Sequence, residues 1–246
     1  MEVLVVGGNP GKYSFKSLQY DTGPAGDPNP QVPLATLIST GPGNMKPLKP
    51  QDLNRKAAGR GRVFPMVEHV LSSRITQERT FVFSENNAGD KFCINQCQYD
   101  MNRVDTQVNV GDVETWTLLN TSGEVHAFHI HQLDFAVVEI NGVKQNPTGL
   151  QDTVNLPYQV NGQPGEVKII LPFTNPNIAG EFVYHCHILE HEDAGMMANI
   201  LVLPTNPRAR RQILNRVRSN RQPHTHAPTP AAPCVPCSDS KKHHPG

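Results

Sequence analysis

The sequence predicts an all-β protein whose main domain is a β-sandwich with Greek-key connections, and three observations carry that expectation. Gly (19) and Pro (22) are plentiful among 246 residues while the apolar runs stay short, which favours many strands joined by turns over long helices. From about Thr80 onward, nine strand-like segments follow one another: "TFVFSE", "KFCIN", "DTQVNV", "VETWTLLN", "HAFHIHQ", "LDFAVVEI", "EVKIILPF", "EFVYHCHI" and "MANILVLP". Turn signals such as "NNAGD", "NVGD", "NTSGE" and "NGQPGE" separate them at short, fairly regular spacing.

Taken in order, residues 1–40 hold three strand-like runs, "EVLVV", "KYSFKSLQYD" and "VPLATLIS", and read as the end of a β-domain whose beginning is absent. Residues 41–74 are rich in Pro, Gly, Lys and Arg and are expected to be a linker. Residues 75–204 form the sandwich, with Trp116 and Leu118 on one face of their strand and directed to the core. Residues 205–246 begin basic ("RARRQILNRVRSNR") and become Pro-rich. A short helix is conceivable at the start, but the whole tail is expected to be disordered.

Composition also excludes classes of function. The formal net charge is zero, so no global field recruits nucleic acid or a membrane surface. No run of about 18 apolar residues exists to span a bilayer. Residues 1–8 lack the basic start and apolar length of a signal peptide. Of five cysteines, Cys93 and Cys97 fit either a bridge across a tight turn or two small buried thiols, the second being expected. Cys234 and Cys237 lie in the Pro-rich tail, and cysteine usage leaves the redox compartment open.

Six of the eleven histidines fall in two motifs, "HAFHIHQ" and "FVYHCHILEHEDAGMM". Strand alternation puts Phe182, Tyr184 and Cys186 on one face and Val183, His185 and His187 on the other. The aromatic pair marks the inward face, so Cys186 points into the sandwich and the two histidines point out. One strand end then serves two metal sites. His191 and Met196 follow Cys186 by five and ten residues, a loop able to fold back over a thiolate. A second imidazole from "HAFHIHQ", supplied by His126, completes a thiolate, two imidazoles and a distant thioether, the donor set of an electron-transfer copper site. Zinc is the commoner metal for mixed Cys/His ligands, but structural zinc sites close with four short-range ligands. His129 and His131 share a face and are placed to meet His185 and His187.

These two motifs resemble the C-terminal copper motifs of the multicopper oxidases, the family of laccases, copper-efflux oxidases and bilirubin-oxidase-like enzymes. "FCINQCQYDMNRVDTQVNVGDVETWTLLNTS" resembles the opening of that family's last cupredoxin domain, and "EVLVVGG…YDTG…PLATLIS" the end of the domain before it. Ala127 and Gln132 stand where the first motif commonly has Pro and Gly, at positions that are not ligands. The resemblance implies a cupredoxin-like Greek-key sandwich preceded by a partial second cupredoxin domain. By position it makes His126, Cys186, His191 and Met196 ligands of the type 1 copper, His129 a ligand of type 2 copper, and His131, His185 and His187 ligands of the type 3 pair. It places Glu192, next to His191, in proton delivery for dioxygen reduction.

The resemblance further implies eight histidines at the trinuclear cluster, of which this chain supplies four. Residues 1–120 hold a single histidine, His69, and no HxH pair. The expectation is an electron-entry portion of an oxidase that needs an N-terminal cupredoxin domain, in cis or from another chain. Its other partners are dioxygen and a reducing substrate, and the full-length parent is expected to be periplasmic or secreted. The alternative is a stand-alone type 1 copper electron-transfer or copper-binding protein without oxygen chemistry. A nitrite-reductase-like reading is weaker, because both histidines flanking Cys186 point to a coupled copper pair.

Overall fold

The computed structural model describes residues 9–40 and 65–221. They form two compact units, one of residues 9–22 and 27–40, the other of residues 23–26 and 65–221. In the first unit, β1 (Gly11–Lys16) and β2 (Pro33–Ser39) pair antiparallel, with a register shift between Phe15 and Lys16. Tyr13, Phe15, Leu34, Leu37 and Ile38 of this hairpin are exposed. The segment "EVLVV" and the tail from residue 222 lie outside the described residues, as does most of the expected linker.

The second unit is a sandwich of two sheets. Its strands are β3 (Gln77–Glu85), β4 (Phe92–Ile94), β5 (Thr106–Asn109), β6 (Val113–Asn120), β7 (His126–Ile130), β8 (Ala136–Ile140), β9 (Val143–Lys144), β10 (Thr153–Leu156), β11 (Gly165–Pro172), β12 (Gly180–Cys186) and β13 (Met197–Leu203). One sheet has the order β10-β7-β12-β13-β5 and the other β4-β3-β6-β11-β8-β9. Non-consecutive neighbours in both sheets, with β3/β6 and β13/β5 parallel, make the connections cross between layers as a Greek key requires.

Period-two alternation is visible in the burial itself. In β11, Val167, Ile169 and Leu171 are fully buried between half-exposed neighbours. In β6, Trp116 and Leu118 are fully buried on the same face as the Glu114 carboxylate. That charge is tolerated because it is paired: Arg79 Nε and Nη2 donate at 2.7 and 2.9 Å, and Trp116 Nε1 at 2.8 Å. The Trp116 ring lies 4.4 Å from Phe81 and 5.4 Å from Tyr184, linking the two sheets.

Two segments depart from expectation. Within the expected linker, α1 (Pro65–Ser72) buries Val67 and Val70 and packs on β8 and β11. Its i, i+3 valines and leading proline are helix signals that a compositional reading of the surrounding segment overrides. In the tail, α3 (Pro207–Arg221) is a helix and not disordered. Asn206 Oδ1 accepts the N–H groups of Arg208 and Ala209 at 2.9 and 3.2 Å, and Pro207 takes the first helical position. That Asn-Pro start, with Ile213, Leu214 and Val217 half-buried, outweighs the basic composition.

Candidate metal centre

Three chain segments converge at one end of the second unit. β12 lies between β7 and β13, with Tyr184 opposite Ile130, His185 opposite His129 and Cys186 opposite Phe128. After Cys186 the chain makes the short helix α2 (Leu189–Asp193) and returns through Gly195 to β13. Gly195 has φ +109, and a Cβ there would stand 3.1 Å from Gln98, so the return suits glycine. The loop is pinned by Cys186 N–H to the Met196 carbonyl and by Met196 N–H to that of His191, both 2.9 Å. It is braced from outside by Tyr99 N–H to the Gly195 carbonyl, 2.9 Å.

The inward face of this strand end holds His126, Cys186 and His191, all buried, with their donor atoms within 4.8 Å of one another. His126 Nδ1 is 3.0 Å from His191 Nδ1, which is 3.6 Å from Cys186 Sγ. Met196 is fully buried in the same core cluster as Cys186. Burial, followed by the neighbouring His191, pushes the His126 pKa down to about 3, so the ring is neutral as a metal ligand must be. Burial likewise pushes the Cys186 thiol up to about 11, although the Ala127 N–H, 3.4 Å from Sγ, works against it. A thiol and two imidazoles suit a soft or borderline cation, whose binding must expel the thiol proton.

The outward face holds a second group. His129, His131 and His185 also bring donor atoms within 4.8 Å, and His131 Nε2 is 3.2 Å from His185 Nε2. His187 is exposed, its ring 5.2 Å from that of His129 and 5.6 Å from that of His185. Partial desolvation holds His129 and His131 below the ordinary imidazole value, with neighbouring histidines acting in the same direction. His185 Nδ1 faces the Cys186 carbonyl at 3.0 Å and Glu192 Oε2 at 3.2 Å. Beside this group a cavity of about 340 Å³ is lined by His129, His131, Asp134 and Asp152 among others.

Several contributors were not anticipated. Asp152 and the first residue of β10 place the Asp152 carbonyl and Thr153 Oγ1 each 3.0 Å from His129 Nδ1. Phe92 stacks on His191 with ring centroids 4.2 Å apart, and Glu124 Oε1 lies 3.1 Å from His191 Nε2. Ser122 Oγ lies 2.6 Å from His126 Nε2. Ser122 and Glu124 precede His126 by four and two residues, and a polar loop beside a ligand motif was the available signal. Cys93 is a buried thiol as expected, whereas Cys97 is disulfide-bonded. Cys93 and Cys186 are both thiols.

A family model described as multicopper oxidase matches residues 67–206, more than half of the chain. The chain belongs to the multicopper oxidase family. It is 39% identical over 120 residues to the multicopper oxidase mco of Staphylococcus aureus, covering 46% of this chain and 25% of that protein. It is 37% identical over 112 residues to the bilirubin oxidase of Albifimbria verrucaria, covering 42% of this chain and 18% of that one. The structure of a Campylobacter jejuni multicopper oxidase, described as a metallo-oxidase, superposes with a TM-score of 0.55 at 26% identity, covering 79% of this chain and 41% of that chain. The chain thus spans about a quarter of the Staphylococcus aureus relative. The family implies copper, and the two Cys/His groups described above could hold a metal ion on this cupredoxin-like sandwich.

Proposed function

We propose that this chain is the electron-entry portion of a multicopper oxidase that takes single electrons from a reducing substrate and passes them on for the reduction of dioxygen to water. In this reading His126, Cys186, His191 and Met196 hold the type 1 copper. His129 contributes to the type 2 site, and His131, His185 and His187 contribute to the type 3 pair. Copper supplies the one-electron redox steps when bound. The observation that carries the reading is the opposition of Cys186 and His185 across one strand end, which gives each face its own donor set.

The protein's own residues do the rest. Burial excludes water from His126, Cys186 and His191. The covalent chain from Cys186 to His185 and His187 joins the inward and outward sets through a few bonds. Glu192, at 3.2 Å from His185 Nδ1, is positioned to hold a proton close to where dioxygen would be reduced. The four outward histidines make half of the family's set of eight, so an N-terminal domain bearing two HxH pairs, in cis or from another chain, completes the outward site. A stand-alone electron carrier would have no use for that outward cluster.

Family membership also supports the proposal that the full-length parent is periplasmic or secreted. Among the described residues no helix is long and apolar enough to cross a membrane.

Copper counting tests the reading. The chain alone should take one copper tightly and turn blue. A complex with a domain carrying two HxH pairs should hold near four coppers and consume dioxygen with a phenol or diamine donor. One copper in both preparations, without oxygen consumption, would favour the stand-alone electron carrier.

A further inference from the structure

Both imidazoles of the inward set are backed, on the ring edge away from the cluster, by one short loop between β6 and β7. Ser122 Oγ is 2.6 Å from His126 Nε2 and 2.5 Å from Asn120 Oδ1. Asn120 is itself fixed by donating to the Glu124 carbonyl at 2.7 Å and the Leu156 carbonyl at 3.3 Å. Glu124 Oε1 is 3.1 Å from His191 Nε2, and the Glu124 side chain is only 12% exposed. The Phe92 ring, 12° from parallel, closes one face of His191. His191 is therefore held on its edge by a carboxylate and on its face by an aromatic ring.

A ring whose Nε2–H donates to a carboxylate has its lone pair on Nδ1, the atom that faces Cys186 and His126. The hydrogen bond fixes that tautomer and draws positive charge towards Nε2–H, which makes Nδ1 a stronger donor. A stronger donor, with a carboxylate charge close by in a dry setting, stabilises the more highly charged state of a bound metal.

We propose that Glu124 is a positioning residue that, by accepting the His191 Nε2–H, locks the ligand tautomer and lowers the reduction potential of the inward copper site. Its partner Ser122 orients His126 but carries no charge, so the two histidines are electronically unequal and Glu124 sets the potential. The inference rests on the type 1 reading of the inward set.

The test uses the full chain loaded with copper, in the wild type and in Glu124→Gln. The readouts are the visible charge-transfer band, a redox titration and the side-chain nitrogen-bound proton resonances in the copper(I) state. A wild type that never turns blue would overturn the type 1 reading itself. With that band present, Glu124→Gln should stay blue and shift the copper(II):copper(I) ratio at fixed poise at least tenfold towards copper(I), a rise of about 59 mV. Ser122→Ala should shift the ratio less. A blue Glu124→Gln variant with unchanged potential would overturn the proposal. If Glu124→Gln takes no copper, the wild-type His191 Nε2–H resonance decides. A downfield, slowly exchanging proton supports the carboxylate lock, and a freely exchanging one overturns it.

Discussion

His185 Nδ1 lies 3.0 Å from the carbonyl oxygen of Cys186, the next residue in the chain. The contact sets the His185 tautomer: Nδ1–H donates to the carbonyl, leaving the Nε2 lone pair to face His131 Nε2 at 3.2 Å. Cys186 meanwhile turns its sulfur to the opposite side of the strand, into the core. The peptide unit that spaces the two donor sets thus also orients one of them.

If the inward set is a thiolate copper site, Cys186→Ser should abolish the blue colour of the copper(II) chain, since the band arises from sulfur-to-copper charge transfer. The remaining imidazoles should still retain some copper. The check is the visible spectrum of the loaded variant, and a persisting blue band would remove Cys186 from the site.

Met196→Leu should keep the colour and raise the reduction potential, because an axial thioether is a weak ligand whose loss destabilises copper(II). Redox titration of the blue band measures it. Complete loss of copper would show that Met196 holds the metal and does not merely tune it.

How far the sequence was legible depends on the range of the signal. Alternation in "FVYHCHI" places Cys186 and His185 on opposite faces without any long-range information, and the structure has that arrangement. Trp116 and Leu118 are legible for the same reason. β10 was not, because "TVNL" is short and its role depends on pairing with β7, more than 20 residues away. Glu124 was not, because its contact with His191 crosses from the β6–β7 loop to α2. The helix α3 was missed because a tail judged by composition alone offers no contacts to reason from.

The buried Glu114 makes a separate prediction about stability. Glu114→Ala would leave the Trp116 N–H without its acceptor and the Arg79 guanidinium without its carboxylate, a loss of about 3–5 kcal/mol. Glu114→Gln keeps an acceptor near Trp116 and should cost less. Urea unfolding of both variants measures the difference, and a Glu114→Ala midpoint equal to the wild type would show that the network is dispensable.

The last prediction concerns the metal-free chain and pH. His126 falls from an ordinary value of 6.5 to about 3 on folding, because burial and then the neighbouring His191 oppose its charge. Below 6.5 the unfolded chain therefore binds a proton that the folded one refuses, and stability is lost as pH falls from 6.5 towards 3. One proton of difference contributes a slope of about 1.4 kcal/mol per pH unit. Cys186 acts at the other end. Its thiol rises from 9.0 to about 11, so stability contributed by the protonated form is lost as pH climbs through that window. The metal-free protein should be most stable between these two arms. Urea unfolding at pH 4.5, 5.5 and 7 should show a steep acid loss, and His126→Gln should flatten it while other titrating groups act equally in both proteins. An acid slope identical in the two would mean that His126 is accessible to protons in the folded chain, and the dry inward pocket would have to be given up.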